Sequence, residues 1–165
     1  MGWLQQLCID CEERAFAGLG WVGRQASLAP QQPAHLVTGK QGELAAFFYL
    51  RRKGYIEVAR RWSSHLQSGD VDLIAWQGPV LCFIEVKTRT AHDIAAAEVA
   101  VDSSKRNAQR KLARHYIRQL SMDATPPIRF DVLSVYLVPG MPKEFVHFEA
   151  AFGWTEGRAW DRWDD

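Results

Sequence analysis

The stretch Gly69-Asp70-Val71-Asp72-Leu73-Ile74-Ala75-Trp76-Gln77-Gly78-Pro79-Val80-Leu81-Cys82-Phe83-Ile84-Glu85-Val86-Lys87 decides the fold of this chain. Two apolar runs flank Gln77-Gly78-Pro79, a turn signal. Val80–Ile84 is apolar at every position, the pattern of a strand buried within a sheet. Because side chains alternate along a strand, the Glu85-Val86-Lys87 that ends this run places two charges on one face, at the rim of the core.

An antiparallel hairpin with Gln77–Val80 as its loop sets Trp76 opposite Leu81, Asp72 opposite Glu85 and Asp70 opposite Lys87. Cross-strand Cβ atoms lie about 5 Å apart. At that range two carboxylates repel by roughly 3 kcal/mol for an effective dielectric of about 20. Either one carboxyl is protonated or a cation sits between them. A divalent ion with hard oxygen ligands answers that need, and Mg²⁺ fits, with Mn²⁺ as a substitute. The competing arrangement makes Asp70–Lys87 a cross-strand salt bridge, turns Asp72 to solvent and pairs Glu85 with Arg89. A slipped register would separate the two acids altogether. The hairpin alone leaves these alternatives open.

Working outward, a helix is predicted from Thr38 or Gly39 to Lys53, stopped by Gly54. Glu43, Phe47 and Leu50 fall at i, i+4 and i+7, which puts Glu43 on the inward stripe. A core-facing glutamate is costly unless something binds it; the alternative is a first-turn glutamate favoured by the helix dipole. A strand follows over Tyr55–Trp62. Asp102 or Ser103 caps a second long helix to Leu120, with apolar Ala108, Leu112, Tyr116 and Leu120 four apart. Arg106, Arg110, Arg114 and Arg118 form an i+4 ladder that cannot pair within itself; with Lys105 and Lys111 it suits phosphate contact, and a solvated helix face explains it equally. Strands at Ile128–Val138 and Phe145–Glu149 complete the order α-β-β-β-α-β-β.

At 165 residues, 47% hydrophobic and 24% charged, the chain suits one soluble domain with a substantial core. The expected organisation is an extension with a short helix and a Gly/Pro/Gln-rich linker (1–37), a domain (38–153) and an acidic, Trp-rich, loosely held tail (154–165). No apolar run is long enough for a membrane helix, and Asp10, Glu12 and Glu13 interrupt any secretory core, so a cytoplasmic location is expected. Cys8, Cys11 and Cys82 are too few for a disulfide framework, and Cys8-x-x-Cys11 lacks the second pair of a structural zinc site. The net +1 hides a gradient: −1 over residues 1–38, +6 over 39–120 and −4 over 121–165. A basic middle between acidic ends points weakly to a polyanionic partner.

Gly39, Gly42-Glu43, Gly54-Tyr55, Gly69-Asp70-Val71-Asp72-Leu73-Ile74, Phe83-Ile84-Glu85-Val86-Lys87-Thr88-Arg89, Lys105, Tyr116 and Arg129-Phe130-Asp131-Val132 together resemble the YraN-like family. These bacterial proteins are regarded as nucleases of the PD-(D/E)xK superfamily. The resemblance implies an α/β fold of restriction-endonuclease type, a mixed central sheet flanked by helices. It implies metal-dependent cleavage of DNA phosphodiesters, at branched, flapped or single-stranded structures. Asp72 and Glu85 would hold Mg²⁺ with the Val86 carbonyl. Lys87 would help activate the attacking water, and Glu43 would orient that water or complete a second metal position. Lys105, Arg89, Arg106, Arg110 and Arg114 would contact nucleic acid. Binding two arms of a branched substrate would favour a homodimer. Asp70 stands where the family more often has Glu, and Arg61-Trp62 where an Asn-aromatic pair is expected. Two rival readings are a non-cleaving nucleic-acid-binding module of the same fold, and a protein-interaction role through the termini.

Overall fold

A computed structural model of the chain describes residues 6–16, 34–91, 102–120 and 124–155. Gly78 and Pro79 form the turn between β2 (Gln67–Gln77) and β3 (Val80–Arg89). Gly78 has φ +58, a left-handed backbone that glycine adopts without steric cost. The hairpin ladder runs from Gln77↔Val80 through Trp76↔Leu81 to Leu73↔Ile84, the expected register. Asp72 and Glu85 lie just beyond its last pair.

β1 (Ile56–Ser64) pairs antiparallel with β2, β4 (Ile128–Tyr136) runs parallel to β3, and β5 (Glu144–Phe152) is antiparallel to β4. The result is a five-stranded mixed sheet in the order β1-β2-β3-β4-β5. Between the parallel pair, β3 and β4, the chain passes through α3 (Ser103–Gln119). Alternation along the central strands sorts the core into two layers. Leu73, Ala75, Cys82, Ile84 and Val86 face α2 (Ala34–Arg52), meeting Ala45, Ala46 and Leu50. Ile74, Leu81, Phe83 and Phe130 face α3, meeting Leu112 and Ala113. The expected mixed α/β fold, a central sheet flanked by helices, is therefore the one observed.

The helix ends follow local chemistry. In α2, Gly54 at φ +85 donates its N–H to Arg51 O and Tyr55 donates to Leu50 O, both at 3.0 Å. That is the paired C-terminal bond of a Schellman motif, as the glycine predicted. Asp102 caps α3, its side chain accepting from the Lys105 N–H at 2.8 Å.

Three expectations need correction. Of the expected stripe on α3, Leu112, Tyr116 and Leu120 join the core while Ala108 does not, and Gln109 and Arg110 are buried with them, so its core face includes two polar side chains. Trp154 is not part of a loose tail: its ring meets Phe130 edge-on at 4.9 Å. The last strand is longer than expected, because β5 continues beyond Glu149 through an irregularity at Ala150 (φ 52).

The N-terminal helix α1 (6–16) packs against its own chain. Ile9 is buried, and Phe16 meets Phe48 at 6.0 Å. Glu12 pairs with Arg51, Asp10 and Glu13 with Arg52, and Glu13 also with Lys143. The Gly/Pro/Gln-rich stretch 18–33 of the expected linker, and Trp160 and Trp163 of the tail, lie outside the described residues.

Candidate functional site

The site forms where β2 and β3 leave the core. Glu85 is 3% exposed, and both its oxygens are engaged. Oε1 accepts from Lys87 Nζ at 2.9 Å, on the same face two residues on. Oε2 accepts from Gln109 Nε2 at 2.6 Å and pairs with Lys105 Nζ at 3.2 Å, both from α3. Asp72 is not turned to solvent: its Oδ2 accepts from the Val86 N–H at 2.7 Å.

The repulsion expected between these acids is present and is met in two ways. Burial first, and then the Glu85 charge, push the Asp72 carboxyl up to about 7, against the lowering effect of the Val86 N–H. Glu85 is countered by two ammonium groups, Lys87 and Lys105. Burial disfavours charge on Lys105, but Glu85 outweighs this and its pKa is raised.

Glu43 sits on α2 with Arg61 Nε 3.4 Å from its Oε2. The helix begins at Ala34, so Glu43 lies well past the first turn and the dipole explanation fails. Burial raises its pKa; Arg61 opposes this, and Asp70 adds to it. The same Asp70 charge is felt by Asp72 and Lys105. Gly42 lets α2 come this close to β3, since a Cβ there would lie 1.8 Å from Thr88 Oγ1. A cavity of about 550 Å³ opens beside Lys87, with Glu43, Thr38, Thr88 and Thr90 among its walls.

Arg61 has φ 46. The β1–β2 ladder pairs Arg60↔Leu73 and Trp62↔Val71 and passes over Arg61 and Asp72 between them. The register is unchanged across this position, and Asp72 there meets the Val86 N–H on the other side. Among the described residues, no group of three or more His, Cys, Asp or Glu side chains is placed to hold a metal ion. Glu43 is thus linked to Asp72 only through Asp70, whose charge both feel, and does not complete a three-carboxylate set.

The expected nucleic-acid contacts divide. Lys105 is drawn to Glu85. Arg110 is 4% exposed and donates to Gly153 O and Asn107 Oδ1, each at 2.8 Å, while its guanidinium lies over the Phe152 ring. Its place on the ladder does not keep it at the surface, because aromatic and carbonyl groups of the C-terminal segment close over it. Arg114 is exposed, 5.1 Å over the Trp154 ring, and Lys111 and Arg118 are exposed beside it. Arg89, at the end of β3, and Arg106 are half-buried. No sequence motif singles out Gln109, which the fold brings onto Glu85. The available signal was its phase: it precedes Leu112 by three and Tyr116 by seven, a polar residue on a core stripe.

A second acidic centre lies on β4. Asp131, fully buried, accepts from both Arg129 Nε and a terminal Arg129 nitrogen at 2.8 Å, and from the Ala150 N–H at 2.9 Å. His147 Nε2 lies 3.2 Å from it. Arg129 also reaches Gln77 and the Tyr55 hydroxyl, each at 2.6 Å.

Known proteins match this chain in sequence. The model of the uncharacterised protein family UPF0102 matches residues 42–135, a stretch that carries Glu43, Asp72, Glu85, Lys87 and Gln109. A UPF0102 protein of Koribacter versatilis is 49% identical over 123 residues, 74% of this chain and 84% of the relative. One of Solibacter usitatus is 42% identical over 99 residues (60% and 74%), and one of Porphyromonas gingivalis 40% over 119 residues (72% and 85%). The resemblance to YraN-like proteins thus holds at the level of the family: the chain belongs to the uncharacterised protein family UPF0102.

Proposed function

We propose that this protein is a metal-dependent nuclease that hydrolyses DNA phosphodiesters, with a preference for branched, flapped or single-stranded structures. The observation that carries the reading is the pairing of Asp72 and Glu85 at the sheet's rim, with Lys87 on Glu85. The donor set fits a hard divalent cation. An aspartate pushed up to about 7 by burial and a neighbouring carboxylate is an acid short of positive charge. Asp72, Glu85 and the Val86 carbonyl would hold Mg²⁺ or Mn²⁺. When bound, the ion supplies a water of lowered pKa and stabilises charge developing on the phosphoryl oxygens.

The chain's own residues do the rest. Lys87, which donates to Glu85 at 2.9 Å, would orient the attacking water and offset the charge of the phosphate. Glu43, paired with Arg61 and lining the same cavity as Lys87, would orient that water or complete a second metal position. The cavity beside Lys87 receives the strand next to the scissile bond. Lys111, Arg114 and Arg118, exposed along α3, contact phosphates farther out.

The test is cleavage of labelled duplex, single-stranded, flapped and four-way-junction DNA, and of RNA, in Mg²⁺, Mn²⁺ or EDTA. Metal-dependent products that fall at least about 100-fold in Glu85→Gln and Lys87→Met are expected. Salt-sensitive binding without cutting, unchanged in both variants, would replace the nuclease with a binding module.

A further inference from the structure

Gln109 is 0% exposed, yet its amide is only half used. Nε2 donates to Glu85 Oε2 at 2.6 Å, while Oε1 is buried without a hydrogen-bond partner. Leu112 and Ala113, both 0% exposed, follow at the next turn of α3 and hold the side chain on the core face. A methionine or leucine would fill this space without leaving an acceptor stranded, and a buried acceptor without a partner is unfavourable. Oε1 is one amide's width from the nitrogen that touches Glu85, so it lies beside the carboxylate proposed to take a cation.

The other groups on Glu85 behave differently when a cation arrives. Lys87 and Lys105 carry the same sign as the ion and must withdraw from the carboxylate oxygens it approaches. The neutral amide need not. Its N–H stays on Oε2 and fixes the direction in which Glu85 presents its remaining lone pairs, while Oε1 can accept from a water on the ion.

We propose that Gln109 is a positioning residue for divalent-cation binding, orienting Glu85 through Nε2 and receiving a cation-bound water at Oε1. This rests on the nuclease reading for the cation itself, and goes beyond it in giving α3 a residue of the site.

The test is Mn²⁺ titration of the full chain by electron paramagnetic resonance, with Asp72→Asn defining the signal that belongs to this site. Gln109→Met keeps length and packing and removes both hydrogen-bonding groups. Gln109→Asn keeps the amide but falls one methylene short of Glu85, and is read in the same way if the methionine variant does not fold. Each folded variant, verified by an unchanged cooperative thermal transition, is expected to bind Mn²⁺ about 10–100-fold more weakly than wild type. A folded variant that binds within twofold of wild type overturns the role of Gln109 alone. Wild type that binds no Mn²⁺ at millimolar concentration overturns the cation reading, and this inference with it.

Discussion

Asp72 and Asp131 sit on strands of one sheet, two positions apart in its order, and their surroundings drive them in opposite directions. Burial favours the neutral form of both. At Asp131, hydrogen bonds from His147 and Arg129 and the Arg129 charge overcome burial and hold the carboxyl below its usual range. At Asp72, the Val86 N–H and the Lys105 charge do not overcome burial and the Glu85 charge, and the carboxyl is pushed up to about 7. The β4 centre is electrically complete. The β2–β3 rim carries two acids, and the charged partners of Glu85 there are lysines, Lys87 and Lys105, groups that can move. A complete buried network makes a scaffold, whereas an incomplete one at an opening is where a cation or substrate gains most by binding.

Removing each carboxylate should break this comparison most directly. Asp131→Asn leaves the Arg129 guanidinium, 6% exposed, with only the half-exposed Glu149 as counter-charge and should cost about 3 kcal/mol. Asp72→Asn removes a like charge from Glu85 and should leave metal-free stability unchanged or raise it by about 1 kcal/mol. Urea unfolding in EDTA measures both. Equal losses at the two positions would mean that the rim acids are structural.

The pH dependence should separate the centres next. Asp72 binds its proton more tightly folded, at about 7, than unfolded, at about 3.9. Its contribution is therefore full below about pH 4 and is lost as pH rises through about 7, by at most about 1.4 kcal/mol per pH unit. Asp131 has the opposite sign: its contribution is present above the unfolded value and is lost as pH falls through its lowered native one. In EDTA, stability should decline between pH 5 and 8 in wild type and decline less in Asp72→Asn. Mn²⁺ affinity should rise with pH to about 7 and then level, since a ligating carboxyl must shed its proton. A flat wild-type profile over that range would remove the Asp72–Glu85 repulsion from the account.

Much of the scaffold was legible because its signals are local. Gly78-Pro79 and the apolar run to Ile84 set the hairpin register, and with it the approach of Asp72 to Glu85. Gly54 marked the end of α2 and Asp102 the start of α3. What escaped depends on distant partners. Arg110 is polar in sequence and buried in space because Gly153 and Phe152, about forty residues on, supply an acceptor and a ring face. Gln109 is an ordinary helix residue until Glu85 is placed beneath it. The acidic side of α1 finds Arg51, Arg52 and Lys143, a match that no periodicity within residues 6–16 encodes.

The smallest expected effect concerns the backbone beside each aspartate, where the two non-glycine residues of positive φ among those described are found, Arg61 (φ 46) and Ala150 (φ 52). Ala150 lies where β5 carries extra residues against Asp131, between Phe130↔Phe152 and Val132↔Phe148, and it donates its N–H to that acid. Arg61 lies where the ladder passes over Asp72, and its side chain pairs with Glu43. The left-handed region costs an L-residue roughly 1–2 kcal/mol, and glycine recovers that cost less about 0.5–1 kcal/mol of unfolded-chain entropy. Ala150→Gly removes only a methyl and keeps the N–H bond, so it should stabilise the protein by about 0.5 kcal/mol, a rise of one or two degrees in Tm. Arg61→Gly gains the same relief and loses a half-exposed ion pair worth about as much, so its stability should not change. If both variants gain equally, the Arg61–Glu43 pair contributes nothing to holding the rim. If only Ala150→Gly gains, the strain at Asp131 is incidental, whereas at Asp72 the left-handed turn is held in place by the side chain that joins β1 to Glu43.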